Sequence, residues 1–140
     1  MSRSAFLAAS DSTAANVPEK IAFASEDFDP NGAFDTTNNR FQPTRAGYYQ
    51  INLQALFQQT TPVGGFTLYL DLRKNGAVHR YAQELINYTA SFTQTMRISD
   101  TVYMNGTTDY IEGWYYANVG ALTVIGGTTA TYMSGHFVRD

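Results

Sequence analysis

The sequence predicts an all-β sandwich of about eight to ten strands, a size at which two sheets can enclose one core. Three observations carry this expectation. Apolar residues recur with a period of two from Ile21 onward. No segment carries a helical stripe, and turn residues recur at the intervals of hairpin-connected strands. At 140 residues the chain has room for one such core and no second domain.

Residues 1–18 are rich in Ser, Ala, Asp and Asn, end at Pro18 and hold one large apolar pair, Phe6-Leu7. That composition supports no core of its own. We read it as an N-terminal arm carrying Arg3, Phe6 and Leu7 as contact residues, with the folded domain over 19–140. The clearest strand spans 47–58, where Tyr49, Ile51, Leu53, Ala55 and Phe57 alternate with Tyr48, Gln50, Asn52, Gln54, Leu56 and Gln58. A second, 66–73, sets Phe66, Leu68, Leu70 and Leu72 against Thr67, Tyr69, Asp71 and Arg73. It runs into Asn75-Gly76, a pair that accepts the positive φ angles of a tight hairpin, so 77–83 is the returning strand. Further strands are predicted over 91–104, 110–116, 121–125 and 131–138.

The charge of −3, with nine Lys and Arg against twelve Asp and Glu, argues against a nucleic-acid binder, which needs clustered cations. The absence of cysteine excludes disulfides, a thiolate nucleophile and a Cys-ligated zinc. No apolar run approaches the roughly 20 residues of a membrane-spanning helix. The run 5–9 is cut short by Ser10 and Asp11, before the length of a signal-peptide core, so the chain is expected to be made in a cytoplasm.

His79 and His136 lack a carboxylate at ligand spacing, and Ser134-Gly135-His136 places two strand residues without the third group that would orient a base. Asp71, Glu84, Asp100, Asp109 and Glu112 offer no preferred acid pair. No enzyme activity and no cofactor is expected. Asp27, Asp29, Asn31 and Asp35 match the start of a calcium loop, but Asn38 stands where a bidentate Glu is needed. An ordinary Asx-rich turn is the preferred reading.

Aromatic residues make up 14% of the chain, and 110–116 carries them on both faces. With Ile111, Gly113 and Tyr115 inward, Tyr110, Glu112, Trp114 and Tyr116 form an outward stripe, and Tyr69 and Tyr132 hold similar positions on their strands. So much aromatic surface argues for a cover: a subunit interface, with His136 beside Tyr132, is preferred over a carbohydrate platform.

The order of signals resembles the complement C1q and tumour necrosis factor jelly-roll superfamily. Phe41-Gln42-Pro43-Thr44-Arg45-Ala46-Gly47-Tyr48-Tyr49 is similar to its F-x-P-x-x-x-G-x-Y segment, and Phe34-Asp35 to the approach before it. Leu72-Arg73-Lys74-Asn75-Gly76 resembles its L-x-K-N-G hairpin, Met104 to Ile111 its L-x-x-G-D-x-V turn, and Thr131 to Phe137 its closing F-S-G-F-L strand. Met133 and His136 depart from the last pattern, and Thr107-Thr108 separates Gly106 from Asp109. The wording Asn105-Gly106-Thr107-Thr108-Asp109-Tyr110 looks most like versions in bacteriophage virion proteins.

The resemblance implies a ten-stranded jelly roll assembling as a compact homotrimer, with one sheet toward the three-fold axis. Tyr69, Tyr110, Trp114, Tyr116, Tyr132 and His136 are its expected trimer interface. Two roles follow from it: a capsid decoration protein on the virion surface, or a receptor-binding head of a tail fibre that takes a host surface glycan. The short segment before the domain leaves no length for a fibre shaft, which favours decoration, with Arg3, Phe6 and Leu7 binding the major capsid protein.

Overall fold

The alternation over 47–58 becomes the long central strand of one sheet. In the computed structural model, which describes residues 2–6, 10–12, 14–61, 64–120 and 122–140, thirteen strands follow in chain order. They are β1 (Ser2–Phe6), β2 (Asp11–Ser12), β3 (Glu19–Lys20), β4 (Ser25–Phe28), β5 (Phe34–Asp35), β6 (Arg40–Phe41) and β7 (Gly47–Gln59). After these come β8 (Phe66–Lys74), β9 (Ala77–Ile86), β10 (Phe92–Met104), β11 (Ile111–Ala117), β12 (Thr123–Val124) and β13 (Tyr132–Arg139). No helix occurs among the described residues.

The strands form two antiparallel sheets. Sheet I runs β10-β7-β13-β1-β4, with β12 and then β2 lying beside the far end of β7. Sheet II runs β5-β6-β11-β8-β9, with β3 also paired to β11. The predicted Asn-Gly hairpin joins β8 to β9, with φ of 52° at Asn75 and 83° at Gly76. The long strands lie where the period-two pattern places them. The short ones escape it because two residues show no period; of predicted strand 121–125, residue 121 lies outside the described residues and 122–125 hold only β12.

The core lies between the sheets. Tyr49, Ile51, Leu53, Ala55 and Phe57 of β7 are buried, and Leu68, Leu70 and Leu72 of β8 supply the facing side with Ile111 and Tyr115 of β11. Each large side chain so buried stabilises the fold by about 1.5–3 kcal/mol. At one end Phe34, Phe41, Tyr49 and Phe137 form a chain of rings with centroids 5.2 to 5.5 Å apart. The sheets interlock through two glycines. A Cβ on Gly135 of sheet I would stand 2.6 Å from the Phe41 ring of sheet II, and one on Gly113 of sheet II 2.9 Å from Leu53 of sheet I.

The expected boundary at residue 18 does not mark the start of the sheet. β1 is an interior strand, paired on one side to β13 and on the other to β4, with Ala5 fully buried. Farther on, Asn16 N donates to Ala117 O (2.9 Å) and Ala14 N to Glu19 Oε1 (2.7 Å), which tie the segment along the sandwich. The composition of 1–18 misleads because β1 needs only one small core residue: its sheet neighbours supply the rest.

Because the Phe41 ring fills the notch at Gly135, Gly135→Ala should destabilise the protein by about 1–3 kcal/mol through overpacking. Urea unfolding measures this, and wild-type stability would show that the notch is slack.

Candidate functional site

The chain presents two outer faces of different chemistry. On sheet II, residues opposite the core come into register across strands. Gln83, Tyr69 and Tyr116 form one row over β9, β8 and β11, and Tyr81, Asp71, Trp114 and Lys20 a second that extends onto β3. The Tyr69 ring lies 6.0 Å from Tyr81 and 5.8 Å from Tyr116. Cations cap the other rings: the Arg73 guanidinium sits 4.3 Å over Trp114 and that of Arg40 4.8 Å over Tyr110. Beneath this layer the Glu112 carboxylate accepts from Trp114 Nε1 and Lys20 Nζ, both at 3.0 Å. Asp71 pairs with Arg73 at 3.0 Å. Both carboxylates are buried although they lie on the side away from the core.

The outer face of sheet I is an amide and hydroxyl ladder. Thr101 Oγ1 donates to Gln50 Oε1 (2.9 Å), Gln50 Nε2 to Ser99 Oγ (2.8 Å), and Ser99 Oγ to Asn52 Oδ1 (2.8 Å). Next along, Arg97 Nε donates to Gln54 Oε1 (2.7 Å), whose amide nitrogen donates to Ala130 O (2.9 Å). Apolar groups border the ladder: Tyr48 and Tyr103 with centroids 5.4 Å apart, and Phe28 across from Ser4.

The aromatic residues expected to form one interface are therefore divided. Tyr69, Trp114 and Tyr116 lie on sheet II and Tyr132 and His136 on sheet I, so no single stripe contains them. Tyr110 sits at the mouth of the Asn75-Gly76 hairpin, its N–H donating to Asn75 Oδ1 (3.0 Å). Alternation along one strand reports which side a residue faces, but not which sheet the strand joins. Of the expected arm contacts, Phe6 is half-buried beside Tyr132 in the sheet and the Arg3 backbone pairs with Gly135. Leu7 lies outside the described residues.

His79 does have a carboxylate neighbour, one distant in sequence. Its Nε2 lies 2.9 Å from Asp100 Oδ2, which Arg80 Nε also approaches at 3.0 Å. The cluster bridges β9 and β10 at the side where both sheets end. In the Asx-rich loop, Phe34 N donates to Asp29 Oδ2 (2.6 Å), and Asn38 donates to Asp35 from its backbone (2.9 Å) and its amide (2.6 Å). Those bonds, the amide's first, hold the Asp35 carboxyl below its ordinary value. The oxygens serve the turn, and the described residues hold no cluster of three or more metal-ligating side chains.

Asp109 joins the two loops at one end of the sandwich. Its carboxylate accepts from Asn75 Nδ2 (2.8 Å), Asn105 N (3.0 Å) and Lys74 Nζ (2.9 Å). Asn105 Oδ1 in turn accepts from the N–H groups of Thr107, Thr108 and Asp109. The inserted Thr107-Thr108 is accommodated by this Asx turn, with Gly106 at φ 74° against the Arg45 and Ala46 backbone. Burial alone would raise the Asp109 carboxyl, but Asn75, Lys74 and Asn105 outweigh it and hold the group below its ordinary value.

Among solved structures the chain is similar to an Eiger TNF from S. frugiperda, with a TM-score of 0.68 at 8% identity over 100% of this chain and 93% of that one. It is also similar to the globular domain of zebrafish complement 1qA, with a TM-score of 0.64 at 14% identity over 99% and 98%. The fold is thus a C1q/TNF-like jelly roll. No protein-family model matches the sequence, and no curated protein matches it.

A carboxyl held below its unfolded pKa contributes stability that is complete above that value, about 4, and is lost as pH falls through the folded one. Asp109→Asn should therefore cost about 1–3 kcal/mol at neutral pH and less at acid pH, where the wild type has lost the same contribution. Urea melts at neutral and acid pH test this; a penalty independent of pH would mean that the charge of Asp109 is not what holds the loops.

Proposed function

We propose that the protein is a non-enzymatic structural module that closes into a homotrimer by edge-to-face contact and decorates the surface of a phage capsid. The observation that carries the assembly is a pair of unlike, uncovered surfaces. On one side both sheets end in long strands, β9 and β10, each paired along one edge only, and at the end of β9 this margin exposes Leu85 (74%) and, in the loop that follows, Tyr88 (48%). Long open edges invite pairing with other chains and are normally covered or charged. The second surface is the outer face of sheet I, where Phe28, Tyr48 and Tyr103 stay exposed around the polar ladder.

Two different patches that complement each other give a heterologous contact, which closes into a ring when the rotation suits. Three copies is the number that the C1q/TNF-like fold favours. In this arrangement sheet I faces the axis, so Tyr132 and His136 remain interface residues. Tyr69, Trp114 and Tyr116 point outward, where Arg73, Glu112 and Asn16 already engage Trp114 and Tyr116. The axis is then lined by amides, hydroxyls and the Arg97 guanidinium, not by an aromatic stripe.

Placement on a capsid is supported by the phage-like wording of 105–110. Residues 2–6 pair with β13 and β4 within the sheet, so the capsid contact is made by another part of the surface and not by a projecting arm.

We expect Leu85→Glu and Tyr103→Glu each to abolish trimers in light scattering. Mixed in equal amounts, they should recover a dimer through the one pair of intact patches; a monomeric wild type, or trimers in both variants, would overturn the assembly. On purified particles, immunogold should label heads. Label confined to fibre tips would favour a receptor-binding head, and no label would remove the virion reading.

A further inference from the structure

We propose that the outer face of sheet II is a binding platform for a neutral oligosaccharide lying across the strands. Tyr81, Tyr69 and Tyr116 form a row of rings, tilted 50° and 61° from one to the next, that crosses β9, β8 and β11 on one side of the sheet, with Trp114 beside them under the Arg73 guanidinium. Tyr81 is 61% exposed and is the ring most open to a ligand.

Polar groups alternate with the rings. Gln83 stands directly beside Tyr69, Asp71 lies between Tyr81 and Trp114, and Lys20 flanks Trp114. A sugar offers the matching pattern, with C–H faces that pack on aromatic rings and hydroxyls that both donate and accept. A protein partner would cover the same face with a largely apolar core. Gln83 and the solvated side of each ion pair would then lose water without gaining hydrogen bonds, at a cost for each. A polyhydroxylated ligand leaves none of them stranded.

Charge selects the class of sugar. The face carries its cations and anions as pairs, Lys20 with Glu112 and Arg73 with Asp71, each at 3.0 Å. No net charge remains to draw a sulfated or uronic-acid polymer. These pairs also fix the orientation of the polar groups before any ligand arrives, which lowers the ordering cost of binding. The platform's residues all come from one chain, and Tyr81 lies four residues, about 13 Å, along β9 from Leu85, so a subunit contact at the Leu85 end leaves the platform open.

The test is titration of the full-length protein with neutral malto-, cello- and manno-oligosaccharides, followed by Trp114 fluorescence and calorimetry, with heparin as the charged comparison. At least one neutral series should bind saturably and with little dependence on salt. Tyr81→Ala, a change at an exposed position, should weaken that binding about tenfold, the worth of one stacked ring, while Val138→Ala, at an exposed position on β13, should leave it unchanged. Thermal melts establish that both variants are folded. The proposal is overturned by no saturable binding across the series, by binding that Tyr81→Ala does not weaken, or by binding to heparin alone. A trimer that binds no sugar would leave the assembly standing, and a monomer that binds sugar would leave the platform standing.

Discussion

The closeness of the two sheets depends on two absent side chains. Gly135 leaves room for the Phe41 ring to enter sheet I, and Gly113 leaves room for Leu53 and Phe23 at sheet II. The notches face in opposite directions, so each sheet is both lock and key. Any Cβ at either site would meet atoms at or under about 3 Å and push the layers apart, loosening packing that normally matches crystalline density. Because the inner side chains are fixed in this way, their strand neighbours are fixed too. Every residue displayed on an outer face owes its position to the fit behind it.

That display is asymmetric. Sheet I turns outward a ladder of amides and hydroxyls that ends in the Arg97 guanidinium, whereas sheet II turns out rings backed by ion pairs. The amides and hydroxyls of the ladder, whose bonds are met within the chain, can be covered by another copy with little desolvation penalty, because they keep their partners; Arg97 is the one charged rung. The ion pairs of sheet II are better left at a solvated surface. The two faces therefore suit different tasks in one assembly, one turned toward sister subunits and one toward the medium.

Much of this was legible in the sequence. Alternation along β7, β8 and β13 shows the inward residues, and Asn75-Gly76 gives the hairpin. What could not be read was lateral order. Trp114 and Tyr132 look alike in period and in residue type, yet a crossover of the jelly roll sends them to opposite sides. The pairing of His79 with Asp100 was hidden for the same reason, since it crosses between the ends of two sheets. The strand at the N-terminus was missed on composition: Ser4 and Ala5 are small and unremarkable residues, and their burial comes from β13, more than a hundred residues later.

This last pairing bears on how the molecule comes into being. Ser2 lies opposite His136 and Phe6 opposite Tyr132, so the first strand of this domain is held by its last. Until β13 is made, β1 has only β4 beside it, and the central strand β7 has β10 on one side and β12 at its end. Loop closure over that separation costs entropy before any contact rewards it, which places the fold among slow, high-contact-order topologies. During that interval an unfilled slot lies open in sheet I. A β13 strand from a neighbouring chain would fit the slot as well as its own, so crowded synthesis favours exchange of the last strand between copies.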